Sequence, residues 1–168
     1  PFLQQQTPLL IERLRVAGAK VKSVRIEQRP AALPSKGNVR PLKKPLTPAE
    51  EAALAGGEVL LQHRYQPLEI ELKARQEVVT NVDILADQAI CAVLKRYVPD
   101  HSMISEESGT RTTASPFTWI IDPLDGTESY IRGQNFSAVT VALMAHGQTL
   151  LGVVCQPFHN EVYSAVRA

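Results

Sequence analysis

No apolar run in this chain approaches the roughly 20 residues that a bilayer-spanning helix needs. The longest, Leu150 to Cys155 and the stretch from Val139 to Ala145, are strand-sized, so the sequence offers no candidate membrane span. Cysteine is scarce. Cys91 falls in a helical pattern and Cys155 in a strand pattern, both amid apolar neighbours, which reads as two buried free thiols rather than a disulfide framework. That usage fits an intracellular, reducing compartment, without separating cytoplasm from organelle. The four histidines, His63, His101, His146 and His159, show neither i, i+4 pairing nor a spacing to cysteine that would build a zinc site, and we read all four as surface or core residues.

What is present is an ordinary globular composition, 44% hydrophobic and 21% charged over 168 residues, enough for one domain with a proper core. The net charge of +1 conceals a division. Residues 1–46 hold ten Lys and Arg against Glu12 and Glu27, a net of +8, whereas residues 47–168 carry a net of −7. Thr7 to Val16 has the pattern of a short amphipathic helix, and Pro30, Pro34, Gly37, Pro41, Pro45 and Pro48 punctuate the chain beyond it. We take residues 1–46 as a basic arm or linker and expect residues 47–168 to form the domain. Because the chain opens at Pro1 rather than Met, we expect that a preceding stretch has been removed.

At Thr47 the pattern changes. A hydroxyl, then Pro48, then Glu50 and Glu51 open a helix that we extend to Tyr65. A second helix is expected from Asn81 to Tyr97, capped by Thr80, because Ala86, Ile90, Val93, Leu94 and Tyr97 recur at steps of three and four. Strands follow at Ser102–Ser105, Thr118–Asp122, Ala138–Ala145, Leu150–Gln156 and Glu161–Val166, with turns at Gly147-Gln148 and His159-Asn160. Helices followed by hairpin-linked strands argue for a layered α/β or α+β domain.

Three acidic segments carry the chemistry. In Trp119-Ile120-Ile121-Asp122-Pro123-Leu124-Asp125-Gly126-Thr127, an apolar strand delivers Asp122, Pro123 turns the chain, and Asp125 returns beside Gly126. The Leu124 carbonyl can face the same way, completing an all-oxygen set of the kind Mg²⁺ prefers. A helical turn from Thr127 would aim its free amides there, making Gly126 and Thr127 a phosphate seat. Glu106-Glu107 sits at the end of another strand, and Asp83 follows Val79-Thr80 at a helix start. Each alone has a bland explanation: a proline turn, a solvated loop and a capping arrangement.

Taken in order, Val-Thr-x-x-Asp, Glu-Glu-Ser and Trp-Ile-Ile-Asp-Pro-Leu-Asp-Gly-Thr resemble the inositol monophosphatase family, with its relatives the bisphosphate nucleotidases and fructose-1,6-bisphosphatase. The resemblance covers residues 47–168, including Ala-Gly-Gly-Glu-Val-Leu-Leu of the first helix, and leaves the arm unmatched. It implies the amino-terminal part of the layered αβαβα sandwich of the sugar phosphatases and a Mg²⁺-dependent, lithium-sensitive hydrolase of small phosphate monoesters. It further implies two-metal activation of water. By that likeness Glu106, Asp122, the Leu124 carbonyl and Asp125 are metal ligands, and Asp83, Thr127 and Glu107 are catalytic. Gly126 and Thr127 border the phosphate. Lys73 and Glu77 match family positions only loosely.

The family's further Trp-Asp motif has no counterpart before Ala168, which implies that the carboxy-terminal half is supplied elsewhere, by a longer chain, a homodimer or a complementing subunit. After Thr127 this chain has Glu128-Ser129-Tyr130 where the inositol enzymes have Thr-Asn-Phe. A charged residue there resembles the nucleotidase and polyphosphate branches, and the phosphate ester is left open. A second expectation stands beside the enzyme: a non-catalytic interaction or scaffold subunit whose basic arm binds a polyanion or partner.

Overall fold

The computed structural model describes residues 21–28, 45–72 and 78–168. The expected helix at Thr7–Val16, the proline-punctuated stretch from Pro30 to Pro41, and Lys73 and Glu77 lie outside the described residues.

Helix α1 (Pro48–Gln62) opens with a full capping box: Glu50 N–H donates to Thr47 Oγ1 at 3.3 Å, and Thr47 N–H donates to the Glu50 carboxylate at 2.8 Å. Ala49, Ala52, Ala53, Gly56 and Leu60 bury one face. At Gly56 any Cβ would stand 2.8 Å from Ile90 of the neighbouring helix, so glycine permits the close approach. The helix ends at Gln62, short of the expected Tyr65. Pro67 disfavours helix in the residue before it, and Arg64 is drawn away by carbonyls far along the chain.

Strands β2 (Ile70–Leu72) and β3 (Val78–Thr80) pair as an exposed antiparallel ribbon leading into helix α2 (Asn81–Tyr97). This helix has the expected bounds, with Thr80 as its cap and Asp83 closing the capping box. Next come β4 (Ser102–Ser105), β5 (Gly109–Arg111), β6 (Phe117–Asp125), helix α3 (Thr127–Ile131), β7 (Ala138–Ala145), β8 (Gln148–Gln156) and β9 (Glu161–Arg167). Strand β1 (Val21–Gln28), from within the basic arm, pairs antiparallel with β9, so part of that arm joins the sheet. The seven strands run in the order β1-β9-β8-β7-β6-β4-β5, and only the β4–β6 pair is parallel.

The hairpin turn between β7 and β8 falls on His146-Gly147, one residue earlier than expected. Ala145 pairs with Gln148, and both turn residues have positive φ, as a two-residue type I′ turn requires. Between β8 and β9 the turn is a short 3₁₀ segment, Pro157–His159, closed by Asn160 in the left-handed region.

Helices α1 and α2 cover one face of the sheet, where Trp119, Ile121, Val139, Val141, Val153, Cys155 and Val162 are buried. Their alternate neighbours Ile120, Thr140, Ala142, Val154 and Tyr163 are only half-buried. The arrangement is a mixed α/β layer structure. Both cysteines are buried and neither forms a disulfide, and no helix of the described residues is long and apolar enough to cross a membrane.

Candidate active site

The carboxyl ends of β4 and β6 bring the acidic segments together. In the parallel register Ser105 lies beside Ile121, and Glu106 N–H donates to the Ile121 carbonyl at 3.2 Å. Glu106 therefore leaves β4 next to Asp122. Along β6 the pairing with β7 is interrupted between Asp122 and Asp125, the kind of irregularity that re-aims side chains at a strand end. Leu124 N–H donates to Asp122 Oδ1 at 3.2 Å, tightening the turn that buried Pro123 begins. Gly126 follows at φ 88°, where an added Cβ would meet the Phe136 carbonyl oxygen at 2.7 Å. Only glycine fits that place.

Burial pushes the Asp122 carboxyl up to about 7, helped by the negative charges of Glu106 and Asp125 and by a hydrogen bond shared with Glu106. The sequence-predicted ligands Glu106 and Asp122 thus meet, with Asp125 close enough to act on Asp122 through its charge. Among the described residues no group of three or more His, Cys, Asp and Glu side chains is arranged to hold a metal ion as it stands. The donor set nevertheless has the chemistry that suits a hard divalent cation: carboxylate oxygens and a nearby backbone carbonyl.

Asp83, 2% exposed, faces this cluster from α2. Its Oδ2 accepts from Thr80 N–H at 2.9 Å, and its Oδ1 lies 3.0 Å from the Thr127 hydroxyl. That hydroxyl is also 3.0 Å from the Leu124 carbonyl oxygen. A continuous chain of contacts therefore runs from Asp83 through Thr127 and Leu124 to Asp122 and Glu106. Glu107 is half-buried, and its N–H donates to Ser105 Oγ at 3.4 Å. The helix after Gly126 forms as expected but is only five residues long. Glu128, the charged departure from the inositol enzymes, forms an exposed i, i+4 pair with Arg132.

Sequence reasoning missed Arg64. Its guanidinium donates to the Tyr130 carbonyl at 3.0 Å, the Gln134 carbonyl at 2.8 Å and Asn135 Oδ1 at 3.0 Å, and lies over the Phe158 ring at 4.5 Å. It pins the loop behind Thr127, and no local pattern signals such a partner. Asp87 was missed as well, although it stands one turn beyond Asp83.

The sequence model of the Inositol monophosphatase family matches residues 42–168. The chain belongs to this family. It is 38% identical over 122 residues to the Nus factor SuhB of Pasteurella multocida, covering 71% of this chain and 46% of that protein. It is also 38% identical over 124 residues to a fructose-1,6-bisphosphatase/inositol-1-monophosphatase of Aquifex aeolicus, with 73% and 47% covered. Among solved structures, the extragenic suppressor protein suhB of Bartonella henselae superposes with a TM-score of 0.68 at 31% identity, over 70% of this chain and 46% of that one. An IMPase/NADP phosphatase complexed with Mg²⁺ and phosphate gives a TM-score of 0.57 at 28% identity, over 67% and 43%. The chain spans about half the length of the curated relatives it matches.

Proposed function

We propose that this chain carries one half of the active site of a Mg²⁺-dependent phosphatase that hydrolyses a small phosphate monoester. The observation that carries the reading is the Asp83–Thr127 contact, linked through Leu124 to the Glu106–Asp122 pair. Glu106, Asp122 and the Leu124 carbonyl, with Asp125 beside them, would hold the cation. Bound Mg²⁺ supplies neutralisation of the developing charge and a more acidic water.

The chain's own residues do the rest. With the Thr127 hydroxyl donating its hydrogen bond to the buried Asp83 carboxylate, the lone pairs of its oxygen are free to accept from a water and orient it toward phosphorus. Thr80 N–H holds Asp83 so that its other oxygen faces Thr127. Water adds to phosphorus, the phosphorus–oxygen bond to the alcohol breaks, and the leaving oxygen takes up a proton, so inorganic phosphate and the free alcohol result. Gly126 and Thr127 border the place where the phosphate would sit, and Glu107 lines the same strand end. A second copy or a complementing subunit is the partner that would complete the site where the remaining half is not on the same chain.

A second reading is favoured by one observation, a relative designated a Nus factor. In it the fold is retained for binding, and the +8 arm contacts a polyanion. One experiment addresses both. Phosphate release from inositol monophosphates, adenosine bisphosphates and fructose bisphosphate is measured at millimolar Mg²⁺, for this chain and for a version extended by a carboxy-terminal family half. We expect the extended form to exceed the short one by several powers of ten, each worth about 1.4 kcal/mol of barrier. Inactivity of both, together with polyanion binding that weakens steeply with salt, would replace the first reading by the second.

A further inference from the structure

Asp83, Asp87 and Cys91 recur every four residues on α2 and so stack along one face of the helix. Each touches a different piece of the site. Asp83 meets Thr127. Asp87, 3% exposed, accepts a short hydrogen bond from the Ser105 hydroxyl, and its Oδ1 lies 3.6 Å from Cys91 Sγ. Cys91 in turn reaches the Ser108 side chain, while burial, with the Asp87 charge beside it, raises its thiol above the usual range. One helical stripe therefore grips both the Thr127 loop and the turn that holds Glu106 and Glu107.

The proposed reaction uses Asp83 and makes no use of Asp87. A buried carboxylate is costly unless its hydrogen bonds compensate, and here the Asp87 carboxylate accepts from the hydroxyl of Ser105, the last residue of β4, with Cys91 Sγ beside it. Ser105 is itself buried, and its oxygen accepts the Glu107 N–H at 3.4 Å. The neighbouring Glu106 N–H is tied to the Ile121 carbonyl at 3.2 Å. Ser105 thus links the Asp87 carboxylate to the turn whose Glu106 meets Asp122.

We propose that Asp87 is a positioning residue which, through Ser105, fixes the Glu106–Glu107 turn against Asp122. Its functional consequence rests on the metal-site reading given above, but the positioning itself does not. Outer partners of metal ligands typically carry 10–100-fold of metal affinity. Asp87→Ala and Ser105→Ala should therefore each weaken Mg²⁺ binding by about that factor, the double variant should be little worse than either single one, and Ser105→Thr should restore affinity.

The test pairs two measurements on the full chain. Titration calorimetry with Mg²⁺ reads affinity. Amide hydrogen exchange without metal reads whether the Glu106 and Glu107 amides lose protection while those of β7 and β8 keep theirs. A control, His101→Ala at the opposite end of β4, should lower the melting temperature without moving either readout. If Asp87→Ala fails to fold, Ser105→Ala carries both measurements. Unchanged exchange at Glu106 and Glu107 in a folded variant would overturn the positioning role. Wild-type protein that takes up no Mg²⁺ would instead overturn the metal-site reading, and the exchange data would still decide the role of Asp87.

Discussion

At the amino ends of β4 and β6 the polar groups are matched by partners, the Arg111 guanidinium donating to the Pro99 and His101 carbonyls. The Trp119 indole N–H donates to His101 Nδ1 at 3.1 Å, and the His101 ring stacks on Phe117 at 4.9 Å. The backbone of Thr113, Ser115 and Phe117 is taken up in turn by the hydroxyls of Ser102, Thr113 and Ser115. At the carboxyl ends of the same strands, the Asp122 carboxyl is half-buried and faces the like charges of Glu106 and Asp125. The same two strands frame both regions, so the contrast does not arise from topology. The carboxyl ends thus carry a carboxyl raised by burial and by like charges, a pattern that clusters at functional sites.

The largest effect should come from removing that repulsion. Asp122→Asn is expected to weaken Mg²⁺ binding by more than the ~100-fold that outer partners carry, read by calorimetry. The same change should flatten the pH dependence of stability in the metal-free protein. The Asp122 carboxyl is raised to about 7 in the fold, whereas an unfolded aspartate titrates near 3.9. Between those values the folded chain holds the extra proton, so stability falls as pH rises through the window, and asparagine removes this fall. Urea midpoints with a chelator present, at the two ends of the window, would test it; equal slopes in both proteins would show that the fold does not raise the Asp122 carboxyl in solution.

Gly126→Ala attacks the same end through the backbone. A non-glycine residue forced into the left-handed region costs on the order of 1–3 kcal/mol, and here the new Cβ also meets the Phe136 carbonyl. Denaturant unfolding should show a loss at least that large, together with weaker Mg²⁺ binding. A variant as stable as the wild type would mean that the turn relaxes freely.

Trp119→Phe sharpens the comparison from the other end. Losing the bond to His101 should cost about 1 kcal/mol, with a further small loss from the space the indole vacates. Mg²⁺ affinity should stay unchanged. A parallel drop in affinity would show that the two ends are coupled along β6.

The legible parts of this molecule are those written in neighbouring residues. Helix α2 has its expected bounds because Thr80 and Asp83 form its cap within four residues and its apolar period is unbroken. Strands β4 and β7 likewise match. The misreadings have local physical reasons too. His146 adopts a positive φ, uncommon for a non-glycine residue, and so takes the first place of the hairpin turn, one residue earlier than Gly147-Gln148 suggested. Val24-Arg25-Ile26-Glu27 alternates as a strand does within basic and proline-rich surroundings, and it pairs with β9.

The sequence by itself determined the helices, their caps, the Asp122–Gly126 turn and the inventory of carboxylates, because short-range sterics and hydrogen bonds set these within a few residues. Only the tertiary structure decided which carboxylates meet. Thr127 and Asp83 are 44 residues apart, and Arg64 and Tyr130 are 66 apart. The parallel register of β4 on β6 sets Glu106 beside Asp122, and the stacking of α2 against those strands turns Asp87 from an unremarked helical aspartate into the partner of Ser105. Contacts of that range depend on how buried apolar faces pack, and a local pattern holds no record of the partner across the gap.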